Sequence, residues 1–180
     1  MKTIIIIGIL FISSFCDAQI SNDYPFKTFL DTANNLYITG YEYNLGTRDI
    51  IIKKISRSTN TGDSWTYLIS NNEGNDRGLD ITVDRHGATF VTGYLFNIET
   101  NSNDLIVIAL NPGGTLRWIK QHNNNSDDKG TGIEIKTNLF GEATEIYVTG
   151  YVTTQNNYKD FIIKKYNATN GDSLWQTTFG

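Results

Sequence analysis

Apolar and polar side chains alternate from Leu79 to Val83, the pattern of a strand with one buried face, and an apolar run from Leu105 to Leu110 predicts a strand buried on both. Between them stands Phe90-Val-Thr-Gly-Tyr94, with close copies at Tyr37-Ile-Thr-Gly-Tyr41 and Tyr147-Val-Thr-Gly-Tyr151, at spacings of 53 and 57 residues. A recurrence at that period signals a repeat architecture. Trp65, Trp118 and Trp175 keep the same two spacings, so all three tryptophans hold one position in the repeat.

Alignment on the pentapeptide brings Asp49-Ile-Ile-Ile-Lys-Lys-Ile55 into step with Asp104-Leu-Ile-Val-Ile-Ala-Leu110 and Asp160-Phe-Ile-Ile-Lys-Lys-Tyr166. Three units follow, about 20–72, 73–128 and 129–180, each read as four short strands. The first strand alternates and ends in an Asp-rich turn, such as 31–35 or 84–87, where Asp and Asn bond their own backbone. The second carries the pentapeptide; its Gly40, Gly93 and Gly150 are expected to mark close packing against a neighbouring sheet. The third is the apolar run opened by Asp49, Asp104 or Asp160, and a Gly-containing turn leads into the tryptophan strand. No stretch beyond the first residues has a helical period. Four strands per unit, joined by short links and stacked through both faces, predict all-β β-propeller blades: three four-stranded antiparallel sheets. Propellers typically have about four to eight blades, so three make a partial propeller. The rest is expected from the remaining blades of a parent protein or from self-association.

Residues 1–18 read as a cleavable signal peptide: Lys2 supplies the charge, Thr3 to Phe15 the apolar run, and Cys16-Asp-Ala18 the site leaving Gln19 first. The run is too short to span a membrane. Lipidation at Cys16 is the alternative, opposed by bulky Phe15 just before it. The expected location is secreted or cell surface. Cys16 is the single cysteine, so residues 19–180 have no disulfide, and packing alone must hold them. A net charge of −4 without a basic stripe points away from nucleic acid.

Residues able to do chemistry are few. His86 lies in a turn and His122 in the 121–128 segment, which reads as a solvated connector; neither has a second ligand at metal spacing. Asp49, Asp104 and Asp160 are expected to open their strands and satisfy turn donors, and the tryptophans and pentapeptide tyrosines to fill gaps between sheets. Calcium ligands exist in Asp127-Asp-Lys-Gly130, though not in the alternating order of a dedicated loop. The pairs Lys53-Lys54 and Lys164-Lys165 read as solvated strand edges. Neither a catalytic constellation nor a cofactor or metal site is expected.

The order Asp turn, Tyr-x-Thr-Gly-Tyr, Asp-apolar-Ile-Ile-Lys-Lys-Tyr, Asn/Gly turn and Trp resembles the SBBP-type β-propeller repeats of secreted and surface-attached bacterial proteins, over nearly all of the chain after the leader. The resemblance implies a non-enzymatic scaffold with no shared catalytic residues. Recognition of a protein or glycan is then expected in the variable segments Glu42 to Arg48, Leu95 to Asn103 and Val152 to Lys159, where a rigid frame tolerates change. Two alternatives stand beside it: a carbohydrate-active propeller enzyme using Asp80 and Glu134, and a spacer within a larger surface protein.

Overall fold

The computed structural model describes residues 23–44, 46–58, 63–70, 74–154, 156 and 158–180. The leader, with its cleavage point, lies outside the described residues, as does most of the 59–63 turn. Twelve strands follow one another: β1 Tyr24–Leu30, β2 Leu36–Asn44, β3 Thr47–Ile55, β4 Trp65–Ile69, β5 Arg77–Val83, β6 Thr89–Asn97, β7 Ser102–Leu110, β8 Leu116–His122, β9 Lys129–Thr137, β10 Ala143–Thr153, β11 Lys159–Asn167 and β12 Ser173–Phe179. They form three four-stranded antiparallel sheets in which sequence neighbours pair: β1 to β4, β5 to β8 and β9 to β12. The repeat read in the sequence is thus a repeat of sheets.

The middle sheet explains why its strands lost polar alternation. On β7, Ile106, Ile108 and Leu110 pack toward the first sheet with Tyr37, Ile50 and Ile52, while Leu105, Val107 and Ala109 pack toward the third with Ile146, Val148 and Ile162. Both faces are core, so every second position need not be polar. Each fully buried aliphatic side chain contributes roughly 1.5–3 kcal/mol relative to leaving it in water. On β11 the alternation returns: Ile162 is buried while Phe161 on the other face is exposed.

The first strand of each later sheet lies against the first three strands of the sheet before it: β5 against β1, β2 and β3, and β9 against β5, β6 and β7. The turns that end the first strands have the expected chemistry. Asp31 Oδ1 accepts from the backbone N–H groups of Ala33 (2.9 Å) and Asn35 (2.8 Å), and Asp84 Oδ1 from those of His86 and Ala88, both at 2.9 Å. Asn138 does the same for Phe140 and Glu142 in the third sheet.

The pentapeptide glycines do sit at a close approach, but not to another sheet. A Cβ on Gly40, Gly93 or Gly150 would collide with the carbonyl oxygen of Tyr24, Arg77 or Lys129, the first strand of the same sheet. The cause is a register shift in each first-to-second strand pairing beside these glycines, since a bulge pushes the chain toward its partner. On the first strands, Gly78 and Gly130 do meet a neighbouring sheet. A Cβ there would strike the hydroxyl of Thr39 or Thr92, the pentapeptide threonine of the preceding sheet.

Candidate functional site

Three features recur at each sheet junction and decide which residues are free for chemistry. The first is the tryptophan. Trp65 Nε1 donates to the Pro112 carbonyl at 3.0 Å, and Trp118 Nε1 to the Ala168 carbonyl at 3.1 Å, each in the outer turn of the next sheet. Beneath each ring lies a left-handed glycine, Gly114 (φ 80°) or Gly171 (φ 72°), where a Cβ would come within 2.5 and 2.7 Å of the indole. Trp65 and Trp118 therefore hold adjoining sheets together. Trp175, on the outer strand of the last sheet, is 42% exposed.

The second feature is a buried aspartate at the start of the first strand, Asp76 or Asp128, which lies two residues before Gly78 or Gly130. The Asp76 N–H donates to the Arg48 carbonyl and the Asp128 N–H to the Asn103 carbonyl, both at 2.7 Å. Their carboxylates accept from Phe96 N (2.7 Å) and Thr153 N (3.0 Å) at the ends of β6 and β10. Each aspartate thus ties its own second strand to the third strand of the sheet before. Sequence reasoning missed this position; the signal was there, because Asp23 lies two residues before Pro25 in the same register.

Asp49 and Asp104 lie buried at the same junctions. Asp104 Oδ2 accepts from Asn97 Nδ2 (2.9 Å) and Gln121 Nε2 (2.6 Å), which ties the hairpin end to β8 and extends the expected donor-satisfying role to a neighbouring strand. Asp160 is half-buried beside Gly180. Burial pushes the Asp128 carboxyl up to about 6, with the nearby Asp104 carboxylate adding to it. His122 is held below its usual value, mainly by burial and then by Lys164. Lys164 donates to His122 Nδ1 (3.2 Å) and Gln176 Oε1 (2.7 Å), and burial holds its ammonium below the usual value. The 121–128 segment is therefore only partly a solvated connector: its two ends carry polar groups that the junction buries. Nor is Lys164 a solvated edge; it is buried, Lys53 meets Asp23 at 3.6 Å, and Lys165 meets Glu145 at 2.8 Å.

The third feature is a column of cations and aromatic rings. Arg77 stands over Tyr41 (5.4 Å) and Tyr94 (6.0 Å), Lys129 over Tyr94 (4.2 Å) and Lys159 over Tyr151 (4.1 Å). Contacts of this kind are worth about 0.5–2 kcal/mol each, more as they lose water. The last tyrosine of every pentapeptide is occupied in this way.

Asp80 and Glu134 do not form an acid–base pair. Asp80 Oδ2 accepts the Ile133 N–H at 2.9 Å and its Oδ1 lies 3.7 Å from Lys27, while Glu134 is exposed opposite Tyr147, on the side of the third sheet turned away from the second. His86 Nε2 lies 3.1 Å from the Phe140 carbonyl, bridging two turns. No group of three or more His, Cys, Asp or Glu able to hold a metal occurs among the described residues. Among the surfaces open to a partner are the β2–β3, β6–β7 and β10–β11 hairpins, beside the Leu139–Phe140 turn and the outer face of the third sheet. Strand pairing runs further out than the variable segments suggest, to Asn44 and Thr47, to Asn97 and Ser102, and to Thr153 and Lys159. Exposed Ile98 and Tyr158 lie between the paired strands, Tyr158 at 73% exposure, and exposed Tyr43 sits near the end of β2. No protein-family model and no curated protein matches the chain.

Proposed function

We propose that this chain is the scaffold portion of an exported β-propeller, its three sheets being successive blades, and that it binds a protein or glycan through its hairpin tips without catalysing a reaction. The observation that carries this reading is the contrast between junction and tip. Trp65 and Trp118 donate to the next sheet, Asp76 and Asp128 tie their own second strand to the sheet before, and Asp104 is taken up by Asn97 and Gln121 of its own sheet. The hairpins instead expose large side chains, Tyr43, Ile98 and Tyr158, in segments that differ between the sheets. Rigid frames with divergent tips are where recognition concentrates, and exposed aromatics suit both peptide and sugar faces.

The blade reading has its own support. Each later sheet lays its first strand, β5 or β9, against the first three strands of the sheet before, an order of stacking compatible with successive blades. The order of residues resembling SBBP-type repeats points the same way, and the apolar leader fits export. The test is a glycan array and a pulldown with the whole chain, beside a version whose 98–101 and 154–158 tips are exchanged. Binding that changes partner or falls at least tenfold on exchange is the expected result. Unchanged binding after exchange, or turnover of a polysaccharide by the unmodified chain, contradicts it.

A further inference from the structure

The open face of the third sheet keeps the tyrosine, threonine, lysine and tryptophan of the face of the first sheet that the second sheet covers, with Phe161 and Phe179 in the places of Ile50 and Ile69. Tyr147 and Trp175 meet edge to face at 6.4 Å and 67°; Tyr37 and Trp65 meet at 6.1 Å and 67°. Lys165 lies 5.3 Å from the Tyr147 ring, and Lys54 lies 5.8 Å from that of Tyr37. Thr149 occupies the pentapeptide place of Thr39. In the first sheet this constellation is seated on a partner: Trp65 on Gly114 and the Pro112 carbonyl, Thr39 on Gly78. In the third sheet Tyr147, Thr149, Lys165 and Trp175 keep this arrangement, yet Trp175 is 42% exposed, and Phe161 and Phe179 beside it are 48% and 57% exposed.

We infer that this face is a docking surface for one further four-stranded sheet of the same repeat. That sheet must carry glycine at the first-strand position of Gly78 and Gly130, and a left-handed glycine in its outer turn to receive Trp175. The inference rests on the reading of the sheets as successive blades. It also settles which partner fits. The first sheet of a second copy of this chain places Pro25 opposite Gly40, where the other sheets pair Gly78 with Gly93 and Gly130 with Gly150. Since a Cβ at Gly78 or Gly130 collides with the facing threonine, the Cβ of Pro25 would collide with Thr149 in the same seat. Head-to-tail joining of copies is thereby blocked, while a glycine-bearing repeat is accepted.

The test extends the whole chain after Gly180 with a second copy of residues 70–122, the unit that already covers the Trp65 face. Hydroxyl-radical footprinting read at Trp175 should show reactivity falling several-fold, to the level of Trp65. The same extension with Gly78→Pro in the added copy should leave Trp175 as reactive as in the unextended chain. Raising the concentration of the unextended chain should not protect Trp175 either. The inference is overturned if the glycine-bearing extension leaves Trp175 reactive, if its proline version protects equally, or if the unextended chain protects Trp175 by self-association. An added unit that stays unfolded counts equally against it, because that unit is offered the face it already uses. Loss of ligand binding on exchanging the hairpin tips leaves this footprint unchanged, so the two readings fail separately.

Discussion

Replacing Trp118 by alanine separates the role of junction tryptophans from that of surface aromatics. Trp118 is 8% exposed, packs with Ala88, Ile162 and Tyr166 in the core between the second and third sheets, and donates to the Ala168 carbonyl at 3.1 Å. Removing a buried indole costs about 3–5 kcal/mol in lost transfer and cavity terms. The stranded carbonyl adds to the loss at the scale of about 1 kcal/mol. Against a typical domain stability of about 5–15 kcal/mol this is a large fraction. With a urea slope of about 2 kcal/mol per molar, a loss of about 4 kcal/mol moves the unfolding midpoint down by about 2 M. Trp118→Phe keeps one aromatic ring but loses the pyrrole ring and its N–H bond, so a loss of about 2 kcal/mol, below that of Trp118→Ala, is expected. Trp175→Ala, at the matching position on the open face, should cost under about 1 kcal/mol. Urea denaturation followed by far-ultraviolet circular dichroism measures all three. Equal midpoint shifts for Trp118→Ala and Trp175→Ala would refute the reasoning, since only one of the two is packed against another sheet.

Gly171→Ala should destabilise by more than about 1 kcal/mol, because φ is +72° and the Trp118 ring lies 2.7 Å from the new Cβ. Gly113→Ala, with open space around it, should be neutral or slightly stabilising in the same assay. Asp128 has a folded-state value of about 6 against 3.8 unfolded, so the folded chain holds more protons between them and stability falls as pH rises through that window. His122, lowered on folding, contributes the opposite slope, its penalty lifting as pH rises toward 6.5. Thermal midpoints of Asp128→Asn against the parent should therefore diverge in the parent's disfavour from about pH 4 to 6; parallel profiles would remove this role. Export from a bacterial host should yield a protein whose first residue is Gln19, read by mass spectrometry, whereas retention of Met1 or a lipid on Cys16 contradicts the leader reading.

The strands were legible because sheet burial writes itself into alternation, as in Leu79 to Val83, and into its loss where both faces are covered, as in Leu105 to Leu110. The turns were legible because Asp31 and Asp84 supply oxygens that few other side chains place so close to their own backbone. What the sequence hid was direction. A glycine repeated in every unit says that something approaches, but not from which side; Gly40 and its equivalents meet their own first strand, while Gly78 and Gly130 meet the sheet before. Asp128 looked solvated because it ends a polar run, yet it is fully buried. Its burial depends on β7 and β10 closing over it, contacts distant in sequence. Likewise Lys164 and Lys165 are adjacent and alike, but strand alternation sends one into the junction and the other to Glu145 on the open face.

The head-to-tail stacking of like sheets is tested most directly by nuclear Overhauser effects from the indole N–H protons. Cross-peaks from Trp65 to Gly114 and from Trp118 to Gly171, with none from Trp175 to any other sheet, are the expected result. Indole cross-peaks confined to each tryptophan's own sheet would contradict it.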